Sequence, residues 1–164
     1  MAGGAKQPPV IQDEKGLYKS LGLDFIPPEL REDKGEIADA EAGELPDLIE
    51  WSNLRGTFHC HTTASDGKNS LIEMARAAID LGLDYLGIAD HSKSSFQARG
   101  LDAIRLAEQV VEIKELNASK EFQEAGFRLL AGTECDILKE GDLDFPDEVL
   151  STLCLLYTSD AADE

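Results

Sequence analysis

The sequence predicts an α/β chain built from parallel β/α units. Three observations carry this. Three short apolar runs, LRGTFHCHT (54–62), YLGIADH (85–91) and FRLLAGTECDIL (127–138), have the length and composition of strands. Two segments between them repeat apolar residues at helical spacing. Strand, helix, strand, helix, strand with connections of this length gives right-handed crossovers and a parallel sheet.

The elements follow in chain order. Residues 1–16 are polar and bear Gly and Pro, which predicts a disordered start. GLYKSLGL predicts a short helix, and DFIPPEL after it is extended, because paired prolines exclude a helix interior. Residues 33–47 are acidic and alanine-rich, which predicts a short helix ending near Pro46. Residues 1–53 therefore read as a lead-in. The first strand run begins at Leu54. GKNSLIEMARAAIDLGL is a helix capped by Asn69 or Ser70, with Leu71, Ile72, Ala75, Ala78 and Ile79 on one face and Gly82 at its C-terminal stop. YLGIADH is continuously apolar, as a strand covered on both faces must be. LDAIRLAEQVVEIKELNAS is a second amphipathic helix with Asp102 near its start, FRLLAGTECDIL is the third strand, and FPDEVLSTL opens another helix at Pro146.

The totals narrow the function. A chain of 164 residues has room for about one domain. A net charge of −18 repels phosphate backbones, so this segment alone is a poor non-specific nucleic-acid binder, whereas it suits divalent cations. The start MAGGAKQPPV lacks a signal-peptide core, and no window approaches the roughly 18 apolar residues of a membrane span. Three scattered cysteines form no disulfide framework. The expectation is a cytoplasmic protein with no membrane partner.

The chemistry lies in the histidines, of which there are three. His59 and His61 flank Cys60 near the end of the first strand; alternation points both imidazoles one way and Cys60 the other. His91 ends the second strand, Glu134 stands near the end of the third, and Asp66 lies in the loop after the first. In adjacent parallel strands these five converge on one rim, the C-terminal edge where β/α folds place their sites. Imidazole with carboxylate suits Mn²⁺, Zn²⁺ or Fe²⁺ rather than a thiolate site. Cys60 and Cys135, each beside such a residue on the opposite face, read as buried packing.

FHCHTTASDGKNS, YLGIADHS and LLAGTECDIL together resemble the first three motifs of the PHP (polymerase and histidinol phosphatase) family, over about Leu54 to Leu153. YKSLGLDFIPPELREDKGEI, HSKSSFQARGLD and ILKEGDLDFPDEVL are similar to the branch found as the C-terminal PHP domain of bacterial family X DNA polymerases. The resemblance implies the N-terminal part of a distorted, TIM-like β/α barrel, incomplete here, behind an irregular, partly helical lead-in. It implies a cluster of two or three divalent metals, Mn²⁺ favoured and Zn²⁺ or Fe²⁺ possible. His59 and His61 would ligate one metal with Glu134 beside or bridging, and Asp66 and His91 would hold a second. Asp90 would orient His91 or the loop from behind, and Lys93, Ser94 and Arg99 would meet a substrate phosphate or be solvated. The implied activity is metal-dependent phosphoester hydrolysis, in the parent protein a 3′→5′ DNA exonuclease or end-processing domain in repair, with DNA as partner through the rest of that parent. A histidinol-phosphatase-like enzyme and a non-catalytic PHP scaffold are the alternatives; IPPELRED argues against the first. Later family motifs have no counterpart, so about five of roughly nine ligands are expected and little activity from this chain alone. The last eleven residues, CLLYTSDAADE, can be written in codons matching a common transposase-based sequencing adapter, so 54–153 is expected to be a partial PHP domain and 154–164 an adapter-like tail.

Overall fold

The computed structural model describes residues 11–160. The chain divides into two compact units, Met1–Ile49 and Glu50–Glu164. In the first, helix α1 (Glu14–Ser20) starts earlier than the sequence reading allows, inside the stretch expected to be disordered. The reason is Asp13, whose carboxylate accepts the Gly16 N–H at 2.7 Å and caps the first turn. The expectation for residues 1–10 lies outside the described residues. Pro28–Leu30 forms a single 3-10 turn and α2 spans Glu36–Ala42. Among its described residues Ile26 is the buried apolar side chain, and Arg31 gathers the groups around it. The guanidinium lies 5.2 Å from the Tyr18 ring and 5.7 Å from that of Phe25, pairs with Glu14 at 2.7 Å, and donates to the Ile26 carbonyl.

The second unit carries the β/α units. A 3-10 turn at Trp51–Asn53 leads into β1 (Gly56–Cys60). Helix α3 (Leu71–Asp80) is capped by Ser70, whose N–H and hydroxyl both donate to Glu73, at 2.8 and 2.6 Å. Gly82 stops it at φ 77°. β2 spans Tyr85–Ile88 and α4 spans Ala103–Ala118, with Asp102 accepting from the N–H groups of Ile104 and Arg105. The second helical segment ends at Ser119, as its sequence reading has it, and Ser119 also caps a further helix that the reading did not include, α5 (Lys120–Ala125). The third strand run is broken at Ala131 into β3 (Arg128–Leu130) and β4 (Gly132–Ile137). Helix α6 (Asp147–Leu150) is only one turn, and β5 (Leu155–Asp160) follows.

All strand pairings are parallel, as expected: β1-β2-β3 form one sheet and β4-β5 another. The break at Ala131 has a topological consequence. β3 pairs with β2, whereas β4 meets the extension beyond β2 through a parallel bridge between His91 and Glu134. The strands described remain an open arrangement and close no barrel. β5 lies within residues 154–164, the stretch expected to be an adapter-like tail. Leu155, Tyr157 and Ser159 are partly covered while Leu156 and Thr158 are exposed, an alternation that suits pairing along the free edge of β4.

The main core gathers Leu71, Ala75 and Ala78 of α3, Leu86 and Ile88 of β2, Val110 and Ile113 of α4, and Phe122, Phe127 and Leu129. Each large side chain buried here stabilises by about 1.5–3 kcal/mol. Cys60 packs against this cluster. A smaller cluster of Leu101, Leu106, Cys135 and Phe145 lies under β4. Asn117 ties α4 to β3, donating to the Leu129 carbonyl at 2.9 Å and accepting its N–H at 2.8 Å.

Candidate metal centre

The rim after β1, β2 and within β4 brings together all five residues expected there. Three imidazole nitrogens surround one oxygen. Glu134 Oε2 lies 2.9 Å from His59 Nε2, 3.2 Å from His61 Nε2 and 3.6 Å from His91 Nδ1. On the other side of His61, Asp66 Oδ1 lies 2.9 Å from His61 Nδ1, and Asp66 Oδ2 lies 3.8 Å from His91 Nε2. The hydrogen bond from His61 holds the Asp66 carboxyl below the usual carboxylate range.

The route by which His59 and His61 come to share a face differs from plain strand alternation. β1 changes register with β2 between Thr57 and Cys60, and His59 has φ 59°, a left-handed conformation foreign to a strand. The bulge turns His59 so that its ring stacks on that of His61, centroids 5.4 Å apart. His61 lies beyond the strand, at the head of the loop. Gly67 lets that loop fold back tightly: a Cβ there would stand 2.3 Å from the His61 carbonyl oxygen.

Two groups have the composition and closeness to hold a cation, His59–His61–Glu134 and His61–Asp66–His91; within each, the ligand atoms lie within 4.8 Å of one another. The donor set fits a borderline divalent metal. So does His91 Nδ1, a buried nitrogen that lacks a hydrogen-bond partner and faces Glu134. The thiols do not compete. Burial raises the pKa values of Cys60 and Cys135, which keeps them protonated and in their apolar clusters.

Asp90 is fully buried and directed to the loop rather than to His91. Its Oδ1 accepts the Thr62 N–H at 2.7 Å and the Ser65 hydroxyl at 2.5 Å. Its Oδ2 accepts the Thr62 hydroxyl at 2.7 Å and Gln109 Nε2 at 2.6 Å. Four donors compensate a carboxylate that burial alone would penalise. Lys93, Ser94 and Arg99 belong to neither group. Lys93 is exposed, the Ser94 N–H donates to Asp144 at 2.6 Å, and Arg99 Nη2 donates to the Ser65 carbonyl. The sequence reading missed Thr62, Ser65 and Gln109; Tyr157, in the stretch expected to be an adapter-like tail, stacks its ring on His59 with centroids 4.2 Å apart.

Residues 57–160 match the PHP domain family. The chain belongs to the PHP family. Every residue of both groups lies inside that match. Over 146 residues the chain is 42% identical to DNA polymerase/3'-5' exonuclease PolX of Bacillus subtilis (strain 168), an alignment covering 89% of this chain and 25% of that relative. The chain thus spans about a quarter of the relative's length. The aligned residues outnumber those of the PHP match, so part of the lead-in is included.

Proposed function

We propose that this PHP segment holds divalent metals for phosphoester hydrolysis, and that its parent protein trims DNA from 3′ ends in repair. The observation that carries the reading is the meeting of two metal-competent groups at His61. A bound divalent cation supplies an activated water and Lewis-acid polarisation of a phosphoryl oxygen. Mn²⁺ is the proposed metal, with Zn²⁺ or Fe²⁺ as alternatives, and two or three ions in the complete domain.

The residues divide the work. His59, His61 and Glu134 hold one cation; Asp66 and His91 serve a second position. With its Nδ1–H donated to Asp66, His61 turns the Nε2 lone pair toward Glu134, the usual way in which a carboxylate fixes a ligating tautomer. Lys93, Ser94 and Arg99 lie in the loop after His91 and contribute to phosphate contact. DNA contact outside this acidic segment supplies most of the backbone affinity. The lead-in favours the DNA-acting branch over a small-molecule phosphatase, because residues outside the PHP match also align with the polymerase relative.

Calorimetric titration of the chain with Mn²⁺ tests the assignment. Binding is expected in the native sequence and lost in the His59→Ala/His61→Ala double variant. Unchanged binding in that variant overturns the site.

A further inference from the structure

The loop that carries Asp66 is held from below by one helix. Arg105 and Gln109 stand four residues apart on α4, hence on one face. Arg105 Nη2 donates to the Ala64 carbonyl at 2.5 Å, and Gln109 Nε2 donates to Asp90 Oδ2 at 2.6 Å. Between loop and helix lies a cleft of about 380 Å³, lined by Thr62, Thr63, Ser70, Arg105, Gln109 and others. Ala64 packs against the Leu101 cluster, whereas Thr62 and Ser65 on either side of it are held by polar contacts. Arg99 and Arg105 hold the Ser65 and Ala64 carbonyls, and the bonds from Thr62 and the Ser65 hydroxyl end on Asp90.

Gln109 has a particular place among them. It is 6% exposed, in a helix whose other buried residues, Leu106, Val110 and Ile113, are apolar. A buried amide in such a stripe is costly unless its hydrogen bonds are made. Here it shares Oδ2 of Asp90 with the Thr62 hydroxyl and is the one donor from outside the loop, while Oδ1 accepts the Thr62 N–H and the Ser65 hydroxyl. Ser65 immediately precedes Asp66, and Thr62 immediately follows His61.

We propose that Gln109 is a positioning residue for the metal centre, acting through Asp90 to set loop 62–66 so that Asp66 faces His61 and His91. The proposal rests on the metal-binding reading above and adds a residue outside both groups. Loss of the Gln109 donor lets the Asp90 carboxylate rotate, and the loop with it.

The test uses Co²⁺, read by its visible absorption band, on the 164-residue chain. Gln109→Met keeps the length of the side chain and removes its donor. Val110→Ala, in the core on the same helix, is the stability control. Gln109→Met is expected to weaken Co²⁺ binding about 10–100-fold and to alter the band, the range seen when an outer partner of a ligand is lost. Val110→Ala is expected to lower the Tm and leave affinity and band unchanged. Native Co²⁺ affinity in a folded Gln109→Met chain overturns the proposal, as does equal weakening by Val110→Ala. If Gln109→Met does not fold, Gln109→Asn, one methylene shorter, carries the same expectation and the same refutation. Absence of Co²⁺ binding in the native chain would instead sink the metal-binding reading itself.

Discussion

The two metal-competent groups share His61 but are held by different forces. His59–His61–Glu134 leans on backbone bonds: β1 pairs with β2 on both sides of the bulge at His59, and Glu134 is pinned by its own N–H to the Asp90 carbonyl at 3.1 Å and by the Ser92 N–H to its carbonyl at 2.9 Å. His61–Asp66–His91 depends on a loop whose shape comes from side-chain hydrogen bonds to one buried carboxylate. Ladder bonds need no particular side chain, whereas the loop needs Thr62, Ser65, Asp90 and Gln109 by identity. The strand-borne group is therefore robust to substitution around it, and the loop-borne group is fragile.

The largest effect should come from the residue common to both. His61→Ala is expected to weaken Co²⁺ or Mn²⁺ binding by more than the roughly 100-fold upper figure for outer partners. His59→Ala, which leaves His61–Asp66–His91 whole, should retain measurable binding in the same titration. Equal loss in the two variants would mean that the groups are not separable.

Asp90→Asn comes next. Its amide must turn N–H groups toward existing donors, and leaving a buried donor unsatisfied costs about 1–3 kcal/mol. A loss of about 3 kcal/mol in urea unfolding is expected. In the folded fraction, metal-dependent NMR shifts should survive at His59 and disappear at His91. A loss of less than about 1 kcal/mol would show that the loop does not depend on Asp90.

The smallest effect concerns pH in the metal-free protein. Because the folded pKa of Asp66 is depressed, chiefly by the hydrogen bond from His61, its contribution to stability is complete above the unfolded value of about 3.9. It is lost as pH falls through the lower folded value. The carboxylate is half exposed, so the stability change is slight, and NMR titration of Asp66 is the sharper measurement. Its midpoint should lie below about 3.9 and return toward that value in His61→Ala. A midpoint unaffected by His61→Ala would show that His61 does not hold the Asp66 carboxylate.

This contrast also explains what could be read from the sequence. Strand ends, the two histidines around Cys60, and the acid after the next apolar run are periodic signals, and they placed the five rim residues in the right neighbourhood. The second helix was read to end at Ser119, where α4 is capped, but the short helix α5 after it was not foreseen, and the break at Ala131 was not legible because the strand run keeps its apolar character across it. The bulge at His59 was hidden for the same reason: HxH reads as alternation whether or not the strand slips. Gln109 did leave a trace. A polar residue between Leu106 and Val110 interrupts the apolar stripe of α4, and such an interruption asks what buried partner it serves. Asp90 takes its four donors from two segments far apart in the chain, loop 62–65 and α4, which no local pattern encodes.

His59 adopts φ 59°, where a side chain with a Cβ costs about 1–2 kcal/mol and glycine costs little. Folding alone would therefore favour glycine at this position, and the imidazole is kept against that preference. Stability and chemistry pull in opposite directions on a single residue. A laboratory selection for thermal tolerance, blind to metal, should drift first toward replacing His59, and the sequences it returned would mark the rim by what they had discarded.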